Sequence, residues 1–394
     1  MNKVPNLRFQ EFSGEWISKI IGDLGDVTKL AGFEFTNHVT YSDSGEIIAL
    51  RGLNVKNGKL ILDDVKYIDN SDFSKLNRSK LIVDDLLFTY VGTVGETALI
   101  DKNDKYYLAP NVSRIRFDLD KSNSKFMHYN ISRSQYFKKV IQPTIATSSQ
   151  PALSMGNIRK LSIYIPSKEE QDKIASFFSL IDKKIELQTE KVEELNNYKK
   201  GIMQKIFSQE LRFKDENGNE YPEWEKRRLQ TIVEKKIKGK NPLYSETGNV
   251  LLNNEFMENN TEPLFVENEI DVTKKDILIL WDGSQAGKVY TGFEGVLGST
   301  FVAITLNKNN CNIFIQEQLE YNLNKIQRAW REGSGVPHVA KDFIENYKIF
   351  VPCYEEQSKI SKMLLNINEK IKLEEKKLRY IKELKKGLLQ QMFI

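Results

Sequence analysis

Cysteine and histidine are scarce in this 394-residue chain: it has Cys311 and Cys353, and His38, His128 and His338. Their spacing matches no zinc motif, which sets aside a disulfide scaffold and a structural metal. Long apolar runs are missing too. No stretch approaches the roughly 18 residues that span a bilayer, and the opening MNKVPNLRFQEF lacks the apolar centre of a secretion signal. A cytoplasmic chain without membrane contact is the expectation. Nor is there a large excess of one charge: 58 basic against 54 acidic residues leave +4, which is weak for a chain that binds nucleic acid unaided. The excess is not gathered in one arm, since residues 1–165 carry +4, 166–207 zero, 208–351 −4 and 352–394 +4. What is present is 40% hydrophobic and 28% charged residues, the balance of a folded chain, at a length that calls for two or more cores.

An internal repeat organises these cores. The segment from Pro166 to Phe207 aligns without a gap on Pro352 to Phe393, at a constant offset of 186, with 16 of 42 positions identical. Chance would give two or three, at roughly one match in sixteen. Among the identities are Glu169/Glu355, Glu170/Glu356, Gln171/Gln357, Gly201/Gly387 and Phe207/Phe393. Fainter echoes lie upstream. LRF recurs at Leu7 and Leu211, Glu15-Trp16 recurs as Glu223-Trp224, and DLLFTYVGTVGE from Asp85 resembles DILILWDGSQAGK from Asp276. The last pair reads as a strand entering a glycine turn. TSSQPAL and GSGVPHV also align at 186, with Pro151 facing Pro337.

The strongly repeated segments are long helices. Ile174, Phe178, Ile181, Ile185, Gln188, Val192, Leu195, Lys199, Ile202 and Ile206 step by alternate fours and threes, the mark of a coiled-coil seam. The second copy runs from Ile360 to Met392, with polar breaks at Glu374 and Lys385 where the first has Gln188 and Lys199. Pro166 and Pro352 suit the entry to each helix, and the glutamates after them favour its positive end. Gly201 and Gly387 cost helix stability and suggest close helix approach, unless they are tolerated surface glycines. The expected organisation is a first recognition domain over residues 1–165, a central helix over 166–208, a second domain over 209–351 and a C-terminal helix over 352–394. If the halves are related by a pseudo-twofold axis, the helices form an antiparallel coiled coil. Each domain reads as α+β, strand-rich with one amphipathic helical stretch, at 124–141 and 314–330.

Two unlike heads at a set separation are what reading two different half-sites on duplex DNA requires. The EEQxKI segments at Glu169–Ile174 and Glu355–Ile360, with the two variable domains and their Asp-apolar-Gly turns, make the chain resemble the DNA specificity subunit of type I restriction-modification systems over nearly its whole length. The resemblance implies a non-catalytic subunit whose two target-recognition domains read an asymmetric bipartite site. It also implies helices that set the spacer and dock two adenine-methyltransferase subunits, with motor-nuclease restriction subunits joining for cleavage. S-adenosylmethionine, ATP and Mg would belong to those partners, and this chain would hold no cofactor of its own. Partner subunits could then supply much of the phosphate contact that the weak basic balance lacks.

Base reading needs donors and acceptors on loops. In the first domain the candidates are Arg51, Asn54 and Lys56, then Thr93 and Glu96 in the glycine turn, and Thr147, Ser148 and Gln150 before Pro151. Their counterparts in the second are Asn253, Asn254, Ser284, Gln285, Lys288, Ser334 and His338. Each could equally be an ordinary solvated loop residue. The run Lys226–Lys240, with Lys226, Arg227, Arg228, Lys238 and Lys240, could follow a phosphate backbone or simply be a solvated face. Phe177, Phe178 and Met363 beside the seam suit packing or partner docking.

Two rival readings exist. Asn241-Pro242-Leu243-Tyr244 approaches the Asn-Pro-Pro-Tyr signature of amino methyltransferases, but Leu243 replaces the second proline and no glycine-rich cofactor loop precedes it. No nucleophile elbow, P-loop or His-Cys cluster is present, so the chain should have no catalytic residue. A coiled-coil scaffold with two protein-binding domains is the other alternative, distinguished by having no sequence preference on DNA.

Overall fold

The computed structural model describes residues 3–146, 151–258, 261–333 and 335–394. Packing divides the chain into two units, residues 1–189 with 377–394, and residues 190–376. In the first lie β1 (Ile17–Ile20), β2 (Gly25–Lys29), β3 (Leu86–Thr89), β4 (Thr97–Leu99), β5 (Val112–Phe117), α1 (Ser124–Ile131) and β6 (Ser162–Ile165), followed by α2 (Lys168–Phe207). An antiparallel sheet of order β2-β5-β3-β4 forms the centre, and β1 pairs antiparallel with β6. Every residue of β3 is buried because the sheet is covered on both faces. Leu86 and Phe88 enter a core with α1 and the start of α2, whereas Leu87 enters one with Leu50 and Tyr106; alternate side chains of a strand point to opposite faces.

The second unit repeats this plan. β7 (Glu225–Arg228), β8 (Val233–Lys238), β9 (Ile277–Leu280), β10 (Val289–Tyr290), β11 (Phe301–Leu306), α3 (Asn312–Tyr321) and β12 (Lys348–Val351) lead into α4 (Tyr354–Gln391). The central sheet has the same order, β8-β11-β9-β10, and β7 pairs with β12 as β1 does with β6. Ile277 and Ile279 face one core, Leu278 and Leu280 another. The amphipathic stretch expected over 124–141 is interrupted: α1 ends at Ile131, Arg133 turns extended, and a π-turn follows over Phe137–Ile141. In the second unit Asn322 makes the matching break between α3 and a helix over Leu323–Ala329.

The motifs that open the long helices fasten each head. Glu170, buried, receives two hydrogen bonds from Arg8, Nε to Oε1 at 2.8 Å and Nη2 to Oε2 at 2.7 Å. Glu356 receives the same fork from Arg212, at 3.1 and 2.7 Å, plus the Trp224 indole N–H at 3.0 Å. This explains why LRF and EEQ recur together. The next residue ties the head helix: Gln171 Oε1 accepts the Asn123 N–H at 3.0 Å, and Gln357 Oε1 the Cys311 N–H at 2.8 Å. Each glutamine also donates to the carbonyl of the proline at the helix entry, Pro166 or Pro352, at 3.1 and 2.9 Å.

The two long helices pair antiparallel within each unit. In the first, Phe178 and Phe393 stack with centroids 5.9 Å apart and Lys385 Nζ reaches Asp182 Oδ1 at 2.5 Å, so rising numbers on α2 meet falling numbers on α4. In the second, Lys191 pairs with Glu374 at 3.1 Å, and Ile206 shares a core with Ile360 and Leu364. The repeated phenylalanines end up in equivalent places. Phe393 sits against Trp16, Phe126 and Phe178, and Phe207 against Trp224, Phe314 and Tyr321. A Cβ added at Gly201 or Gly387 would meet nothing within 4 Å, so these glycines do not serve close approach of the two helices.

Candidate nucleic-acid interface

In each unit the turn after the central strand is tied to the segment before the last strand. Gly92 N–H donates to the Pro151 carbonyl at 3.0 Å and Leu153 N–H to Tyr90 at 2.8 Å; in the second unit Gly283 donates to Pro337 and Val339 to Trp281, both at 2.8 Å. The sequence pairing of Pro151 with Pro337 therefore marks a structural junction. Gly95, with φ +94°, is required because a Cβ would lie 2.9 Å from the Phe137 ring. Gly287, at φ +97°, packs on Leu323 and Ile326 in the same way. Both turns thus rest on the second helical segment of their head, which holds them in one conformation.

Several predicted residues lie at these junctions. Thr93 is exposed at one turn, and Ser284 and Gln285 at the other, with His338 3.8 Å from Glu332 on the paired segment. Lys56 is exposed on a hairpin, Val55–Lys56 with Lys59–Leu60, whose Asn57 N–H donates to Glu96 Oε2 at 2.6 Å. Glu96 therefore anchors the hairpin to the turn. Thr147, Ser148, Gln150 and Ser334 lie outside the described residues.

Other expectations are corrected by burial and hydrogen bonding. Asn54 is buried; its Oδ1 accepts the Arg51 N–H at 3.0 Å, and its Nδ2 donates to the Ile61 and Asp64 carbonyls at 2.9 and 2.7 Å. It organises its loop and has no amide hydrogen left for a base. Arg51 is held by Asp64 at 2.9 Å. Asn253 caps the helix Asn254–Met257, Asn254 accepts the Tyr290 hydroxyl at 2.7 Å, and Lys288 is paired with Glu258 at 2.5 Å. That lysine is the main reason the Glu258 carboxyl is held below its ordinary range. The basic run is split. Lys226, Arg227 and Arg228 are exposed on β7 in the two-stranded sheet, with Arg227 paired to Glu225, whereas Lys238 ends β8 of the central sheet and Lys240 follows it. Phe178 is fully buried among Tyr129, Phe177 and Phe393 and offers nothing to a partner. Phe177 packs edge-on to Phe9, and Met363 packs against the second core.

The sequence reading missed the cations beside the turns. In the first unit the exposed Lys138 lines a groove with Thr93 and Gly95. In the second, Arg328 and Arg331 border a polar depression of about 460 Å³ with Asn324 and Gln327, and Arg331 Nη1 donates to the Ser284 carbonyl at 3.3 Å. The available signal was the basic ends of the two amphipathic stretches. A larger groove of about 1010 Å³ in the first unit runs from Thr93 and Lys59 to His128, Asp182 and Lys385. Burial first, then the Lys385 charge, pushes the His128 imidazole down to about 4.

The helical pair also carries exposed apolar side chains. In the first unit Leu180, Leu187, Tyr380 and Leu384 are 71, 53, 65 and 45% exposed; in the second, Tyr198 and Leu373 are 56 and 52% exposed. Leu187 and Leu373 are equivalent by the repeat, as are Tyr198 and Leu384. Among the described residues no helix is long and apolar enough to cross a membrane.

Two heads of one topology, each fastened to paired helices and each presenting a braced polar turn, define a duplicated two-headed binding chain. The chain belongs to the family of the type I restriction modification DNA specificity domain, whose model matches residues 14–197 and 221–383. It is 35% identical over 202 residues to the type I restriction enzyme MjaVIII specificity subunit of Methanocaldococcus jannaschii, covering 49% of this chain and about half, 47%, of that one. A putative type I restriction enzyme MjaX specificity subunit of the same organism is 25% identical over 371 residues, 85% of this chain and 83% of that one. The fold is shared with the S subunit of a type I restriction-modification system from M. genitalium, at 16% identity, 99% coverage of both chains and a TM-score of 0.68. It is shared too with a chain from a type I R-M system studied for complex assembly and conformational transition, at 14% identity, 96 and 97% coverage and a TM-score of 0.57.

Proposed function

We propose that this chain reads an asymmetric bipartite DNA site for a type I restriction-modification assembly, one half-site per head, and that it has no catalytic residue itself. One observation carries the reading: the two heads share a braced turn while the side chains they expose there differ, Thr93 and Lys56 in one, Ser284, Gln285, Arg328 and Arg331 in the other. A common frame with unlike polar tips suits two different base sequences. The names of the relatives support it. In this reading two adenine-methyltransferase subunits bind the helical pair, restriction subunits join them, and S-adenosylmethionine, ATP and Mg are theirs; the assembly works in the cytoplasm.

Mapping adenine methylation in host DNA with and without the chain tests the reading; an unchanged pattern sinks it. Once the site is known, Arg331→Ala is expected to weaken binding by about 1–3 kcal/mol and relax preference in one half-site alone. Equal relaxation in both halves, or none, would count against the assignment of that turn. For docking, the exposed Leu187 and Leu384 replace buried Phe178 as candidates. The double variant Leu187→Glu with Leu384→Glu is expected to keep its thermal midpoint and lose methyltransferase capture in a pull-down. Retained capture places the contact elsewhere.

A further inference from the structure

Toward the end of α4, Lys382, Lys385 and Lys386 crowd one side of a single helical turn. Opposite them the chain leaves α1 through Ser132, Arg133 and Ser134, and together these groups border a depression of about 260 Å³ with no carboxylate in its lining. Lys385 has a partner in Asp182. Among the described residues, Lys382 and Lys386 have neither a carboxylate nor a hydrogen-bond acceptor. Arg133 is 7% exposed and lies 4.9 Å from the Phe393 ring centre; its Nε and Nη2 donate to Asn130 and to the Ile394 carbonyl, and its Nη1 has no hydrogen-bond partner. Like charges three and four residues apart weaken a helix, and a buried guanidinium nitrogen without an acceptor costs more. The hydrogen bonds of Arg133 to Asn130 and Ile394 and its contact with the Phe393 ring offset part of this, whereas among the described residues Lys382 and Lys386 have no acidic partner. The matching positions of the other unit are milder, with Asn196 in place of Lys382 and Tyr321 in place of Arg133.

The missing partner is anionic. An acceptor with several oxygens in this depression would meet the two free ammonium groups and the Ser134 hydroxyl, with the buried Arg133 guanidinium adding its charge from behind. The depression also shares Ser132, Ser134, Lys385 and Leu389 with the larger groove that begins under the Thr93 turn. A ligand at that turn therefore has a continuous surface to this one. We propose that the pocket of Arg133, Lys382 and Lys386 binds a backbone phosphate of duplex DNA whose bases are read by the first head. The inference rests on the DNA-reading function proposed above, and it adds a sequence-independent anchor on the helical pair to the turns that specify bases.

The test uses the full chain assembled with its methyltransferase partners. Binding to the mapped site and to a scrambled duplex is followed by fluorescence anisotropy between 50 and 200 mM salt for wild type, Lys382→Gln, Lys386→Gln and the double variant. Removal of one lysine–phosphate pairing should reduce the slope of log K against log salt by about 0.9. Affinity should fall by one factor for both duplexes, with base preference unchanged. If the variants keep the wild-type slope and affinity while wild type still prefers its site, the phosphate pocket is wrong and the DNA-reading function stands. If wild type shows no preference for any duplex, that function fails first. Impaired capture of methyltransferase without DNA would make the pocket a protein contact and overturn the proposal.

Discussion

Glu356→Ala is expected to cost about 3–5 kcal/mol of stability, against less than about 0.5 kcal/mol for its exposed neighbour Glu355→Ala. The contrast comes from what each carboxylate holds. Glu356 is wholly buried and binds both the Arg212 fork and the Trp224 indole N–H, so its removal leaves Arg212 Nε and the buried Trp224 N–H without an acceptor, while Arg212 Nη2 keeps the Tyr221 and Pro222 carbonyls. The loss should appear as an earlier urea transition followed by tryptophan fluorescence, because Trp224 lies beside the broken contact. The equivalent Glu170→Ala should cost less, since the Trp16 indole nitrogen is not bonded to Glu170 and only Arg8 is released. Equal effects of Glu356→Ala and Glu355→Ala would show that the clamp contributes nothing.

Lys199→Met is the second substitution with a large expected effect, again about 3–5 kcal/mol. Its partner is Glu317 on α3, whose side chain is 2% exposed and whose Oε1 accepts hydrogen bonds from Lys199 Nζ at 3.1 Å and from the Asn368 amide at 2.7 Å. Without the lysine a buried carboxylate keeps only one neutral donor. Lys385→Met removes the equivalent lysine, but Asp182 is 41% exposed and also accepts the Tyr129 hydroxyl at 2.7 Å, so water can replace the ammonium. That change should cost about 1 kcal/mol or less. The same lysine is thus served by an acid on the long helix in one unit and on the head helix in the other. Adding Glu317→Gln to Lys199→Met should restore most of the loss, measured by thermal denaturation of the double variant against each single one. Matching losses for Lys199→Met and Lys385→Met would refute the asymmetry.

The long helices were legible because their signal is local and redundant. Ten seam positions in each copy repeat the same steps, and burial of Ile174, Phe178, Ile206, Ile360 and Leu364 follows from that period. The central strands were legible for a similar reason, as apolar runs ending in glycine turns. The site was less so. Asn54 and Asn253 have the amide expected of a base reader, but an amide serves a buried loop or a helix cap equally well. Composition cannot tell these uses apart, because the partners come from Asp64 and Phe256, not from the motif that drew attention to the asparagine. Arg328 and Arg331 were overlooked as the polar end of an amphipathic helix; only the approach of Arg331 to Ser284 places them at a turn.

The chain by itself determined that there are two heads of one plan and two long helices, since duplication and periodicity are properties of residue order. Tertiary structure decided which charges are spent and which are free. Asp64, Glu258 and Asp182 occupy Arg51, Lys288 and Lys385, while among the described residues Lys382 and Lys386 have no acidic partner. Such pairings join residues far apart in sequence, and electrostatic attraction depends on distance in space, which residue order does not specify.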